Sequence, residues 1–206
     1  MNRQEIKEKA KEKIKGHVWE LAWPALVIGL IYYVISRLLG INNIDLNSTV
    51  SVADNAKGFI LEVIFSVIMG GYIKYVMDFV RNDKTELNTI VNTIKEKWLN
   101  LLIANLLVEL IVFVGSMLLV IPGIIALVGL SFVSYIVVDS DTSGTDAIKK
   151  SWEMMKGYKW DLFVFSLSFL GWMLLGVLTI GILYIWLLPY VSVACVIYFD
   201  KLKNLK

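Results

Sequence analysis

Apolar residues run in six stretches along the chain, at about 18–39, 59–80, 99–121, 124–138, 162–178 and 182–199. Each holds about 15–23 residues, close to the ~20 that a helix needs to cross the hydrocarbon layer. The third and fourth stretches meet at Pro122-Gly123, and the fifth and sixth meet near "LTIG", which ends at Gly181. Either pair, read as one helix of about 40 residues, is roughly twice what a bilayer needs, so tight hairpins are expected.

Before each expected hairpin the pattern changes to helical periodicity with charge on one side. Leu87, Ile90, Val91, Ile94 and Trp98 share a face, as do Ala147, Ile148, Ser151, Trp152 and Met155. Ile6, Ala10 and Ile14 make a thinner stripe. Thr85 and Thr145 stand where N-caps are expected. Such helices suit the headgroup layer, with the apolar face down and lysines toward anionic lipid. A tryptophan then marks each entry to the bilayer: Trp19, Trp98 and Trp160 are read as interfacial anchors.

The unit is therefore an amphipathic helix, a tryptophan and two spans, and it occurs three times. Lys15-Gly16-x-x-Trp19-Glu20-Leu21 matches Lys156-Gly157-x-x-Trp160-Asp161-Leu162, while the middle copy keeps Trp98 without the glycine. The expected architecture is all-α: one integral membrane domain, 1–206, with six transmembrane helices as three hairpins. The approximate units are 1–84, 85–144 and 145–206, each hairpin preceded by a cytoplasmic amphipathic helix.

Composition agrees with the pattern. The chain is 57% hydrophobic and 18% charged, with a mean hydropathy of +0.68, against about 45–50% and about 25% in soluble domains. Of the 20 Lys and Arg residues, only Arg37 and Lys57 fall on the side opposite the N-terminus, with Lys74 inside the second span. The positive-inside rule then puts both termini in the cytoplasm. The first fifteen residues are highly charged rather than a short basic leader, so Met1 is expected to begin the mature chain.

The run "IPGIIALVGLSFVSYIVVDSDTSGTDAIKKSWEMMKGYKWDLFVFSLSFLGW", followed by "TIGILYIWLLPYVSVACVIYFDKL", resembles a bacterial integral-membrane family catalogued as domain of unknown function 975. The marks are Pro122-Gly123, Ala147, Ser151, Met155-Lys156-Gly157, Gly171-Trp172, Pro189-Tyr190 and Tyr198. They cover about residues 120–202; the N-terminal half fits by layout. The run is more distantly similar to the membrane domain found beside some glycerophosphodiester phosphodiesterases, whose catalytic domain has no counterpart here. The resemblance implies a polytopic bacterial membrane protein and supplies no activity.

Candidate chemistry is sparse. Glu109 lies mid-span, where a carboxylate is costly and calls for a partner. It reads either as a proton or cation site or as a structural polar contact. Asn105 is one turn earlier on the same face, within reach of Glu109. Lys74 either snorkels toward Arg81 or pairs with Glu109 from an adjacent antiparallel span. These three residues form the candidate intramembrane polar site. Glu62 and Glu20 read as solvated acids near opposite interfaces, and Asp78, Asp161 and Asp200 as helix-end acids. One cysteine, Cys195, and one histidine, His17, give no metal or haem set, and no cofactor is expected. No P-loop, H-E-x-x-H or G-x-S-x-G motif is present.

The sequence therefore predicts a non-enzymatic protein of the bacterial cytoplasmic membrane, acting through helix packing and through lipid or partner contacts. An envelope-tolerance, immunity or accessory component fits that description. The alternative is a small transporter or channel working around Glu109. Expected partners are membrane lipids and another membrane protein or a second copy of the chain, not nucleic acid.

Overall fold

The computed structural model describes residues 2–41 and 52–205. The side opposite the N-terminus carries one expected loop, at about 40–57, and its residues 42–51 lie outside the described residues. Those described are helical, without strands, in nine segments: α1 Arg3–Lys13, α2 Val18–Leu38, α3 Val52–Asn82, α4 Asn88–Leu118, α5 Val120–Gly129, α6 Val133–Asp139, α7 Gly144–Met154, α8 Lys159–Leu178 and α9 Tyr184–Asn204. With α5 and α6 taken together, six are long and apolar enough to cross a membrane.

The repeat is visible in the backbone. Gly16 and Gly157 both sit in the left-handed region, with φ of +90° and +85°. A residue with a Cβ is strained there, so the Lys-Gly pair ends one helix and lets the next leave at a new angle. At one constant offset, Ile6, Ala10 and Ile14 of the first copy correspond to Ala147, Ser151 and Met155 of the third, and all six are buried. The caps correspond as well: the Asn2 side chain accepts from the Glu5 N–H, and Ser143 Oγ accepts from the Asp146 N–H. The middle copy has Lys95 at the matching place, and there α4 runs unbroken for 31 residues, about 46 Å. Its first turns therefore belong to the same rod as the span, not to a separate amphipathic helix.

Three boundaries differ from expectation. The turn between the third and fourth spans is at Leu119, which is extended, and Pro122-Gly123 lies in the first turn of α5. Proline is tolerated there because first-turn N–H groups have no intrahelical partner. Gly123 serves close approach: a Cβ on it would meet Ser116 Cα at 2.9 Å. The N-cap of α7 is Ser143 rather than Thr145, and that of α4 is Leu87 rather than Thr85.

The α1 stripe and, on α7, Ala147, Ser151 and Met155 are buried against protein, while Trp152 of the α7 stripe stays 37% exposed. α1 packs on α9, and α7 packs on α4 and α6. Small residues permit this approach, and Ser151 Oγ donates to the Gly129 carbonyl at 3.0 Å. Between the long helices, α2 packs on both α3 and α9, α3 on α4 and α6, α4 on α5, and α8 on α9. An aromatic cluster fills the centre: Tyr198 stacks on Phe132, tilts against Phe165 and donates its hydroxyl to Asp161 at 2.9 Å. Pro24 and Pro189 are buried inside α2 and α9.

Candidate functional site

Two polar constellations stand out from this bundle. The first closes its charged end. Arg81, on the last turn of α3, bonds Asp200 of α9 through Nε and Nη2, and Asp139 of α6 through Nη1. Lys203 adds a second cation to Asp139 at 2.7 Å. Around this node, Lys201 pairs with Glu5 at 2.7 Å, Lys13 with Asp83 at 2.6 Å, and Lys97 with Asp141 at 3.0 Å. Arg3 stands 3.6 Å from Asp161. Of the acids read as helix-end groups, Asp161 and Asp200 are thus ion-paired between helices, while Asp78 pairs with Lys74 on its own helix. The interhelical pairs carry the ends of α3, α6 and α9, the start of α8, and α1 into one layer.

The second constellation is a cavity of about 850 Å³. Its walls come from α3 (Phe59, Glu62), from α4 between Asn105 and Phe113, from Leu127 of α5, and from the α5–α6 junction (Leu130, Ser131, Val133, Ser134). The junction is what shapes it. The helix breaks at Leu130–Phe132, so α6 packs on both α3 and α4 while α5 stays on α4. The face of α4 between α3 and α5 is left as the floor.

Glu109 lies on that floor. Its Oε2 is buried and has no hydrogen-bond partner among the described residues. Asn105 lines the same cavity but does not bond Glu109. It donates from Nδ2 to Ser66 Oγ at 3.0 Å and accepts at Oδ1 from Ser134 Oγ at 2.9 Å. Asn105 therefore bridges α3 and α6 across α4. Both hydroxyls come from helices distant in sequence, which is why a one-helix reading assigned the amide to Glu109. Lys74 is not in the cavity and does not meet Glu109. Its Nζ is 2.9 Å from Asp78 Oδ1, one turn further along α3. An acid at i+4 on the same helix is a nearer partner than one on another helix. Glu62, read as a solvated interface acid, lines the cavity with Glu109. Its signal in sequence was weak because nothing local links positions 62 and 109.

The three tryptophans point outward: Trp19, Trp98 and Trp160 are 64%, 52% and 74% exposed. Among the described residues, no three His, Cys, Asp or Glu side chains converge as metal ligands would.

A family model described as "Protein of unknown function (DUF975)" matches residues 1–133 and 111–206, so the two matches together span the chain. No curated protein matches, and no solved structure does. The more distant similarity to the phosphodiesterase-associated membrane domain gains no support from these matches.

Proposed function

We propose that this chain, which belongs to the DUF975 family of proteins of unknown function, is a non-enzymatic, multi-pass protein of the bacterial cytoplasmic membrane that works by binding. The six apolar helices span as three hairpins, and the layer built on Arg81 faces the cytoplasm. The lysine bias supports that orientation. So does the ion-paired layer, since it gathers α1 and the end of α9 on one side. The exposed tryptophans mark the headgroup level.

The observation that carries the binding reading is Glu109 Oε2, buried without a partner in a cavity large enough for a small ligand. A buried polar atom left unsatisfied costs stability unless something else supplies its bond. Ligand cavities are typically apolar with a few convergent polar groups, at about 300–1,000 Å³. A protein that holds a membrane-partitioned molecule or a partner's side chain there suits an accessory, envelope-tolerance or immunity role. A second reading, a small transporter using the same site, is favoured by the placement of Glu62 and Glu109 on one cavity.

The test is purification of wild type and Glu109→Gln in a mild detergent, with mass spectrometry of co-purifying lipids and proteins. A molecule retained by wild type and lost from Glu109→Gln supports the reading. Identical sets from the two proteins contradict it.

A further inference from the structure

We infer that the cavity beside Glu109 takes a cationic amphiphile, an ammonium-type group carried on an apolar body. This rests on the binding reading above and adds the chemical class of the ligand.

The argument comes from which hydrogen-bonding groups remain free. Four polar side chains besides Glu109 line the cavity: Glu62, Asn105, Ser131 and Ser134. The two serine hydroxyls and one of the two Asn105 amide hydrogens are engaged within the protein. Ser134 Oγ donates to Asn105 Oδ1, Asn105 Nδ2 donates to Ser66 Oγ, and Ser131 Oγ donates to the Val128 carbonyl at 2.9 Å. Ser66 in turn donates to the Val63 carbonyl at 2.7 Å. What remains to receive a ligand is mainly acceptor capacity, with carboxylate oxygens foremost, and among the described residues Glu109 Oε2 is the buried one with no partner. No lysine, arginine or histidine lines the walls among the described residues.

An anionic headgroup would therefore meet two acids against a single amide hydrogen, the second on Asn105 Nδ2. A neutral apolar molecule would fill the space and leave Oε2 unsatisfied. A cation answers both conditions, and it is bound more strongly out of water than in it. A bare inorganic cation fits poorly, because a hard divalent ion wants about six oxygen ligands and most of the polar side chains here are already committed. The rest of the lining is aliphatic and aromatic, including Phe59, Leu127 and Phe113, which favours an apolar body.

The probe pair is tetraphenylphosphonium and tetraphenylborate, close to one another in size and shape and opposite in charge. Equilibrium dialysis against purified protein in a nonionic detergent is expected to show saturable phosphonium binding at about one per chain and no saturable borate binding. Glu109→Gln should weaken phosphonium binding about tenfold or more, and Glu62→Gln less. Leu127→Trp, which fills the cavity from the α5 wall, should abolish binding, with gel filtration confirming that each variant is folded. Equal binding of both ions, insensitive to Glu109→Gln but lost in Leu127→Trp, would overturn the charge assignment and leave the cavity as a neutral binding site. Absence of binding by either ion, together with unchanged co-purifying molecules in Glu109→Gln, would overturn both this inference and the binding reading.

Discussion

Arg81 and Asp200 join the last turn of α3 to the end of α9, with Nε 3.1 Å from Oδ2 and Nη2 on the other oxygen. The third guanidinium nitrogen reaches Asp139, so one side chain ties the ends of three helices. The fork geometry is specific to arginine. Arg81→Ala and Arg81→Lys are each expected to lower stability in detergent by about 1–3 kcal/mol, between the values for exposed and buried pairs. Lys203→Ala, on a side chain 55% exposed, should cost within about 1 kcal/mol. Thermal unfolding checks the order; equal losses for Arg81→Ala and Lys203→Ala would contradict it.

Gly157 and Gly123 are glycines for different reasons, and alanine should separate them. At Gly157 a Cβ meets nothing within 4 Å, so Gly157→Ala carries only the left-handed backbone strain, about 1–2 kcal/mol. Gly157→Asn should recover part of that, because asparagine tolerates this region. At Gly123 the Cβ meets Ser116, so Gly123→Ala must push α4 and α5 apart and should cost more. The same unfolding measurement decides, and a larger loss at Gly157 would refute the distinction.

Glu5 supplies a pH dependence. The hydrogen bond from Lys201, then that from Lys9, lowers its carboxyl from the usual 4.5 to about 2. A lowered folded-state pKa contributes stability above the unfolded value and loses it as pH falls toward the folded one. Docking of α1 on α9 should therefore hold at pH 6 and weaken between about pH 4.5 and 2. A spin label on Lys11→Cys, in a Cys195→Ser background, should become more mobile across that window. In Glu5→Gln the docking is already weakened and the profile should be flat. A wild-type profile flat over the same range would show that this pair does not hold α1.

Orientation is tested by single cysteines at Asn47, Asn88 and Ser143 in the same background. An impermeant thiol reagent applied to intact cells should label position 47 and spare 88 and 143. Position 47 lies outside the described residues, so its labelling tests the charge bias alone. The reverse pattern would invert the proposed topology.

What was legible in the sequence follows from which constraints are local. Six long apolar helices were readable because a bilayer sets a length that apolar runs must meet, and α2, α3, α4, α5 with α6, α8 and α9 meet it. The Lys-Gly-x-x-Trp match was readable because a left-handed backbone position demands glycine, and the missing glycine before Trp98 coincides with the unbroken α4. Pro122-Gly123 misled because proline suits a helix start as well as a turn. The cavity was half legible. Glu109 announces itself as an acid mid-span, but Glu62, Ser66 and Ser134 reach its surroundings from other helices, and no local pattern links them. Of the two readings of Lys74, the pair with Glu109 is displaced by Asp78, which lies one turn along the same helix.

The most direct measurement is a crystal structure grown from a lipidic mesophase. The account predicts non-protein density in the cavity bounded by α3, α4 and α5, within hydrogen-bonding distance of Glu109 Oε2. Glu109 bonded to a protein side chain, with α5 closed onto α3 and no cavity between them, would contradict it.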